Sequence, residues 1–197
     1  MVVLQPCDWI EHDTYGKYVV DVYGRTEDFA GMVRIEGFKP YLYVVPGDKT
    51  IAELKSRLQS EKIQNTIVTA HQKFDAYAGF NKYASTLVWK IEVESLQGFR
   101  NASRICKQMF DRVYETNLPP FLRLFHECEI GPASPIAFQP SRRINKNSWA
   151  TSVKDVKGDP SKTIPLKVAA YDIECMSKTG AFPQATKPWS YIVEHFF

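Results

Sequence analysis

The chain has 197 residues, of which 44% are hydrophobic, 24% charged and 13% aromatic, with a formal net charge of +3. Intrinsic disorder is excluded by this apolar content and low net charge, and no apolar run approaches the ~20 residues that cross a bilayer. Met1 to Pro6, followed by acidic Asp8 and Glu11, lack the basic and long apolar regions of a secretory signal, so the protein is expected in the cytosol or nucleus, without a membrane partner. Cys7, Cys106, Cys128 and Cys175 are far apart, with no C-x-x-C pair and no histidine at zinc-ligand spacing, and are read as reduced, mostly buried thiols.

Tyr18 to Tyr23 are β-branched and aromatic, Gly24 to Asp28 form a turn, and Met32 to Glu36 resume the strand pattern, which predicts a hairpin. Tyr41 to Val45 form a short apolar run closed by Pro46-Gly47-Asp48 and are expected as a buried strand. Thr50-Ile51-Ala52-Glu53 fits a capping box, predicting a helix with Ile51, Leu54 and Leu58 on its buried face. Thr66 to Ala70 read as a strand. Leu87, Trp89, Ile91 and Val93 alternate with Val88, Lys90, Glu92 and Glu94, which predicts a strand with one buried face. Ser95 is placed to cap a second helix, whose apolar positions run from Leu96 through Phe99, Ala102, Ile105, Cys106, Met109 and Phe110 to Val113.

Strand, helix, strand, strand, helix is most of a split β-α-β-β-α-β unit, so the fold class is α+β in two layers. Fold order alone assigns no function.

From Asn117 prolines crowd the chain, and Phe121, Leu122, Leu124 and Phe125 suggest a short docked helix or turn. Residues Ser141 to Ser161 have linker composition, which puts a domain boundary near residue 160. Arg142, Arg143 and Lys146 cluster there; they are open to two readings, contacts to a phosphate backbone or solvated loop charges.

After Pro165, residues Leu166 to Glu174 read as one apolar strand ending in two acids. Side chains at i and i+2 share a strand face, so Asp172 and Glu174 are about 7 Å apart along it at roughly 3.4 Å per residue. Two carboxylates so placed can share Mg²⁺, whose other ligands are water and substrate phosphate, and they also suit a two-metal hydrolytic site. A solvated strand end gives the same short pattern. The apolar run before Asp172 favours the metal, because a strand buried on both faces rarely delivers unpartnered charges.

Tyr171-Asp172-Ile173-Glu174-Cys175 with Gly180-Ala181-Phe182-Pro183 resembles the first exonuclease motif of the family B DNA polymerases. Tyr23-Gly24-Arg25-Thr26 and Gly37-Phe38-Lys39-Pro40-Tyr41-Leu42-Tyr43-Val44 are similar to their N-terminal domain. Tyr114 to Pro120 and Leu122 to His126 are most similar to the versions from large DNA viruses. The resemblance implies an N-terminal domain over residues 1–160, containing the split β-α-β-β-α unit, and over 161–197 the first strand of a truncated, ribonuclease-H-like 3′-to-5′ exonuclease domain. It implies that Asp172 and Glu174 are catalytic and bind the Mg²⁺ ions of a two-metal proofreading site. In the full-length parent the partners are DNA, as a single-stranded 3′ end and a primer-template, and dNTP, with no further small-molecule cofactor. The setting is viral DNA replication in the cytoplasm or nucleus of an infected cell. Phe182 and Pro183 match residues that shape the following turn and carry no chemical role.

Two departures stand out. Gly131-Pro132-Ala133-Ser134-Pro135 replaces a Gly-Trp pair usual in the family. Residues 189–197 match poorly, and Tyr191, Ile192, Val193, Phe196 and Phe197 are expected to form an apolar terminus with no sheet to join. With the later acidic motifs and the palm absent, the 197 residues alone are expected to show neither polymerase nor proofreading activity. The alternative is a non-catalytic module binding single-stranded nucleic acid through Arg142, Arg143, Lys146 and the strand aromatics Tyr41, Tyr43 and Trp89. Those aromatics serve equally well as core.

Overall fold

The computed structural model describes residues 1–74, 85–159, 161–166, 171–176 and 191–196, the last two as backbone strands. The chain forms two compact units, Met1–Ile164 and Pro165–Phe197.

The first unit opens with a strand that sequence patterning does not reveal. β1 (Val2–Thr14) carries Gln5, Pro6, Asp8, Glu11, His12 and Asp13, which break any clean alternation. Its pairing is tertiary: it runs antiparallel to β2 (Lys17–Arg25), with a register shift between Pro6 and Asp8, and β2 pairs with β3 (Ala30–Glu36) as the expected hairpin. At that irregularity the strands come so close that a Cβ on Gly24 would meet the Gln5 carbonyl oxygen at 2.1 Å, so only glycine fits there.

Four further strands complete the sheet: β8 (Ile136–Phe138), β9 (Arg142–Asn145), β10 (Ser148–Ser152) and β11 (Val156–Gly158). The order is β11-β8-β1-β2-β3-β10-β9, and β10 runs parallel to β3 while the other pairs are antiparallel. Residues 141–161 are therefore not a linker. Strands of three to five residues are too short to show a period, and the polar look of β10 misleads, because Ser148, Ala150 and Thr151 are all buried. The Thr151 hydroxyl is satisfied by donating to the Gln139 carbonyl at 2.7 Å.

A second sheet lies within the same unit, built from β4 (Tyr41–Val44), β5 (Ile67–Phe74), β6 (Ser85–Glu92) and β7 (Val113–Tyr114) in the antiparallel order β5-β6-β4-β7. α1 (Ile51–Ser60) connects β4 to β5, and α2 (Leu96–Met109) connects β6 to β7. The capping box at Thr50 forms in both directions: Glu53 N–H donates to the Thr50 hydroxyl at 3.2 Å and Thr50 N–H donates to the Glu53 carboxylate at 2.7 Å. α2 is capped twice. Ser95 Oγ accepts from Gly98 N–H, and Asp13 of β1 accepts from Leu96 and Gln97 N–H at 2.6 and 3.0 Å, so a carboxylate from the first sheet fixes the start of a helix on the second. The helix ends at Met109, with Phe110 extended and Val113 in β7, shorter than the apolar spacing suggests.

Two cores result. Leu42, Val44, Trp89, Ile91 and Val93 pack with Leu54, Leu58, Phe99 and Ile105 of the helices, whereas Tyr41, Tyr43 and Val88 join the first sheet's core with Val20, Val22, Ile35, Leu124 and Phe125. Leu124 and Phe125 belong to α3 (Pro120–Glu127), the short helix expected after Asn117. The second sheet is thus covered on both faces near β4. That explains why β6 departs from strict alternation, with Val88 buried and Leu87 43% exposed.

In the second unit, β12 (Tyr171–Met176) pairs antiparallel with β13 (Tyr191–Phe196) in a register that sets Tyr171 against Phe196 and Met176 against Tyr191. The apolar terminus therefore does have a strand to join, and β12 is its partner. Leu166 lies outside any strand and is 46% exposed, so the expected strand does not begin there. Residues 167–170 and Gly180 to Pro183 lie outside the described residues.

Candidate active site

The acid pair is placed by β12. Asp172 lies opposite His195 and Glu174 opposite Val193, two positions apart on one strand of a two-stranded ribbon. Carboxylate oxygens are the hard donors that Mg²⁺ prefers, so these residues fit part of its shell. Among the described residues no group of three or more His, Cys, Asp or Glu gathers to hold a metal ion.

Of the basic cluster, Arg142 and Arg143 sit on β9 at the edge of the large sheet, and Lys146 in the turn that follows. The Arg142 guanidinium pairs with Glu36 at 2.5 Å. Arg143 donates to the carbonyls of Asn145 and Lys146, which holds its head against its own turn. Tyr41, Tyr43 and Trp89 are 7%, 8% and 6% exposed, so their rings are core rather than stacking platforms. Lys90 sits 4.0 Å over the Tyr41 ring and Lys73 4.3 Å over Tyr43. The Tyr41 hydroxyl donates to Glu127 at 2.8 Å, and burial together with that bond raises its pKa above the usual tyrosine value.

Sequence reasoning missed a polar network on β2. The Asp21 carboxylate, 7% exposed, accepts from Arg34 Nε at 2.7 Å and Nη2 at 2.8 Å, and lies 3.0 Å from His12 Nε2. The hydrogen bond that Arg34 donates to Asp21 raises the Arg34 pKa above its ordinary value. Asp21 stands between Val20 and Val22 in a run that reads as apolar, and the signal that marks it is a charge at a strand centre with an arginine opposite on β3. A second pair, Arg123 of α3 with Glu115, lies beside Tyr41. The Gly131 to Pro135 segment is held by Gln5, whose amide donates to the Ala133 carbonyl at 2.7 Å, and by Trp9, whose indole donates to the Pro132 carbonyl at 2.9 Å.

The thiols divide by burial. Cys106 and Cys128 are buried and free, and desolvation pushes their pKa values up from 9.0 to about 12 and about 11. Cys7 is exposed, an exception to the mostly buried thiols expected from the sequence. Folding favours the protonated form of both buried thiols, so their contribution to stability is full below pH ~9 and is lost as pH rises through the folded values. Peptide mapping after iodoacetamide treatment at pH 7.5 should find Cys7 alkylated, with Cys106 and Cys128 labelled only once the chain unfolds.

Comparison with known proteins finds similar sequences and a similar fold. Residues 111–194 match the family model for the DNA polymerase family B exonuclease domain, a span that contains β12 and both acids. The chain is 24% identical over 242 residues to a DNA polymerase of Acanthamoeba polyphaga mimivirus, covering 96% of this chain and 13% of that protein. Over residues 111–194 it is similar to the exonuclease domain of the family B DNA polymerases. Another viral relative, a DNA polymerase of Paramecium bursaria Chlorella virus NY2A, is 31% identical over 108 residues, which cover 51% of this chain and 12% of the relative. The family B DNA polymerase from the hyperthermophilic archaeon Pyrobaculum calidifontis superimposes with a TM-score of 0.66 at 15% identity, over 88% of this chain and 22% of that one. The chain therefore shares its α+β fold with that polymerase and spans about an eighth of either viral relative's length.

Proposed function

We propose that this sequence forms the front of a viral DNA polymerase with 3′-to-5′ proofreading, at work in the cytoplasm or nucleus of an infected cell. The observation that carries the reading is the exonuclease-domain match over residues 111–194, which contains Asp172 and Glu174 two positions apart on β12. In this reading residues 1–160 are the N-terminal domain and 161–197 begin a ribonuclease-H-like exonuclease domain. The break between compact units at Ile164 supports that division. The strand and helix order from β4 to β7 supports a split β-α-β-β-α unit inside the N-terminal domain.

The chemistry follows from the acids. Asp172 and Glu174 would hold divalent ions, Mg²⁺ by donor type, and a bound ion supplies charge neutralisation and an activated water for phosphodiester hydrolysis. What the chain itself contributes is two carboxylates two positions apart on one strand, spaced by strand geometry. Arg142, Arg143 and Lys146 are, in this reading, weak contacts to the DNA phosphates. Two ligands from one strand leave the metal shell incomplete, so residues 1–197 alone should leave single-stranded DNA intact.

Replacing the matching front of the Chlorella virus polymerase with residues 1–197 tests the proposal. The chimera should extend primers and excise mismatched 3′ ends. Primer extension at the parental rate without excision would contradict the assignment.

A further inference from the structure

The helical layer on the second sheet carries a surplus of positive charge. α1 with the turn that follows it, and α2, carry Lys55, Arg57, Lys62, Arg100, Arg104 and Lys107 against only Glu53 and Glu61, a surplus of four on a chain whose total is +3. All six cations are exposed and lie outside the core that packs the helices on the second sheet. On α2, which has no acid anywhere along it, Arg100, Arg104 and Lys107 are exposed at i, i+4 and i+7. They form a row about 10 Å long at 1.5 Å per residue.

The row already holds a carboxylate. Glu61, at the end of α1, lies 3.3 Å from Arg57 and 3.2 Å from Arg104, bridging guanidiniums of the two helices. Among the described residues Arg100 and Lys107, one turn to either side of Arg104, pair with no acid. Like charges one helical turn apart repel, so these flanking positions gain most from further carboxylates. The exposed side chains of the two helices include no aromatic ring, which a single-stranded nucleic-acid surface uses to stack bases.

We propose that the α1–α2 face is a docking surface for an acidic segment of a protein partner, whose carboxylates extend the row that Glu61 begins. Arg100, Arg104 and Lys107 are its anchors, and Glu61 sets the register by keeping Arg57 and Arg104 extended across the layer. This surface is independent of the exonuclease assignment.

The test uses the 197-residue chain and a fluorescein-labelled octaglutamate peptide, read by fluorescence anisotropy at 50 and 200 mM NaCl. Saturable binding that weakens with salt is expected, and Arg100→Gln/Arg104→Gln/Lys107→Gln should weaken it at least ~10-fold, the scale of three partly exposed ion pairs. Lys154→Gln/Lys157→Gln/Lys162→Gln, which removes the same charge from the exposed surface elsewhere, should change binding less than about twofold. Equal losses in the two variants would reduce the effect to net charge and overturn the proposal, as would no saturable binding. Tighter binding of a labelled DNA duplex through the same three residues would also overturn it, making the face a nucleic-acid surface. Thermal melts of both variants that match the parent chain establish that the comparison is between folded proteins.

Discussion

Asp172→Ala, in a polymerase that carries this sequence, is expected to lower 3′-to-5′ excision by ~10³-fold or more while primer extension stays within about twofold. In the proposed reading the carboxylate acts only in the exonuclease chemistry. A ligated ion contributes several kcal/mol to the charge that develops on the phosphate in the transition state, and 4 kcal/mol is about three decades in rate. Glu174→Ala should behave alike, and the double variant should be little worse than either single one, because residues that hold one site act as a unit. Asp172→Asn separates charge from shape: it keeps the size and removes the hard anionic donor, so it should fall close to the alanine variant. Excision of a labelled mismatched primer end, measured beside extension of the matched primer, checks all four. Equal loss of both activities would instead indicate a structural role for β12.

Asp21→Ala should destabilise the first unit by about 3 kcal/mol. Its carboxylate is almost fully buried and holds Arg34 by two hydrogen bonds at 2.7 and 2.8 Å, with His12 alongside. Removing one member of a buried pair leaves the other charge without compensation, which commonly costs 3–5 kcal/mol. The partial exposure of Arg34 places this site at the low end. Asp21→Ala/Arg34→Ala should cost clearly less than the two single substitutions added together, because the first substitution already removes the interaction. Urea midpoints at constant m-value supply the comparison. A loss under 1 kcal/mol for Asp21→Ala would mean that water already solvates the pair.

These two sites also mark where sequence is informative. That the i, i+2 acids lie on one strand is legible because strand patterning is local, and because the surrounding residues resemble a family motif. The helix starts at Thr50 and Ser95 are legible for the same reason, since a capping side chain answers a backbone group three residues away. β1 is not legible. Its polar residues are explained only by partners far along the chain: Asp13 by the N-terminus of α2, Gln5 by Ala133, Trp9 by Pro132. The strands between Ser141 and Ser161 are hidden because each has only three to five residues, too few to show a period, and because β10 is placed by a partner strand, β3, more than a hundred residues earlier. Asp21 shows the converse, a functional-looking charge whose neighbours on the sheet make it a structural one.

The central claim is that Asp172 and Glu174 hold a divalent cation, and Mn²⁺ titration of the 15N-labelled chain tests it most directly. Paramagnetic broadening should begin at the amides of β12 and its register partners His195 and Val193, and should vanish in Asp172→Ala/Glu174→Ala. Broadening centred on another part of the chain, or unchanged in the double variant, would contradict the assignment.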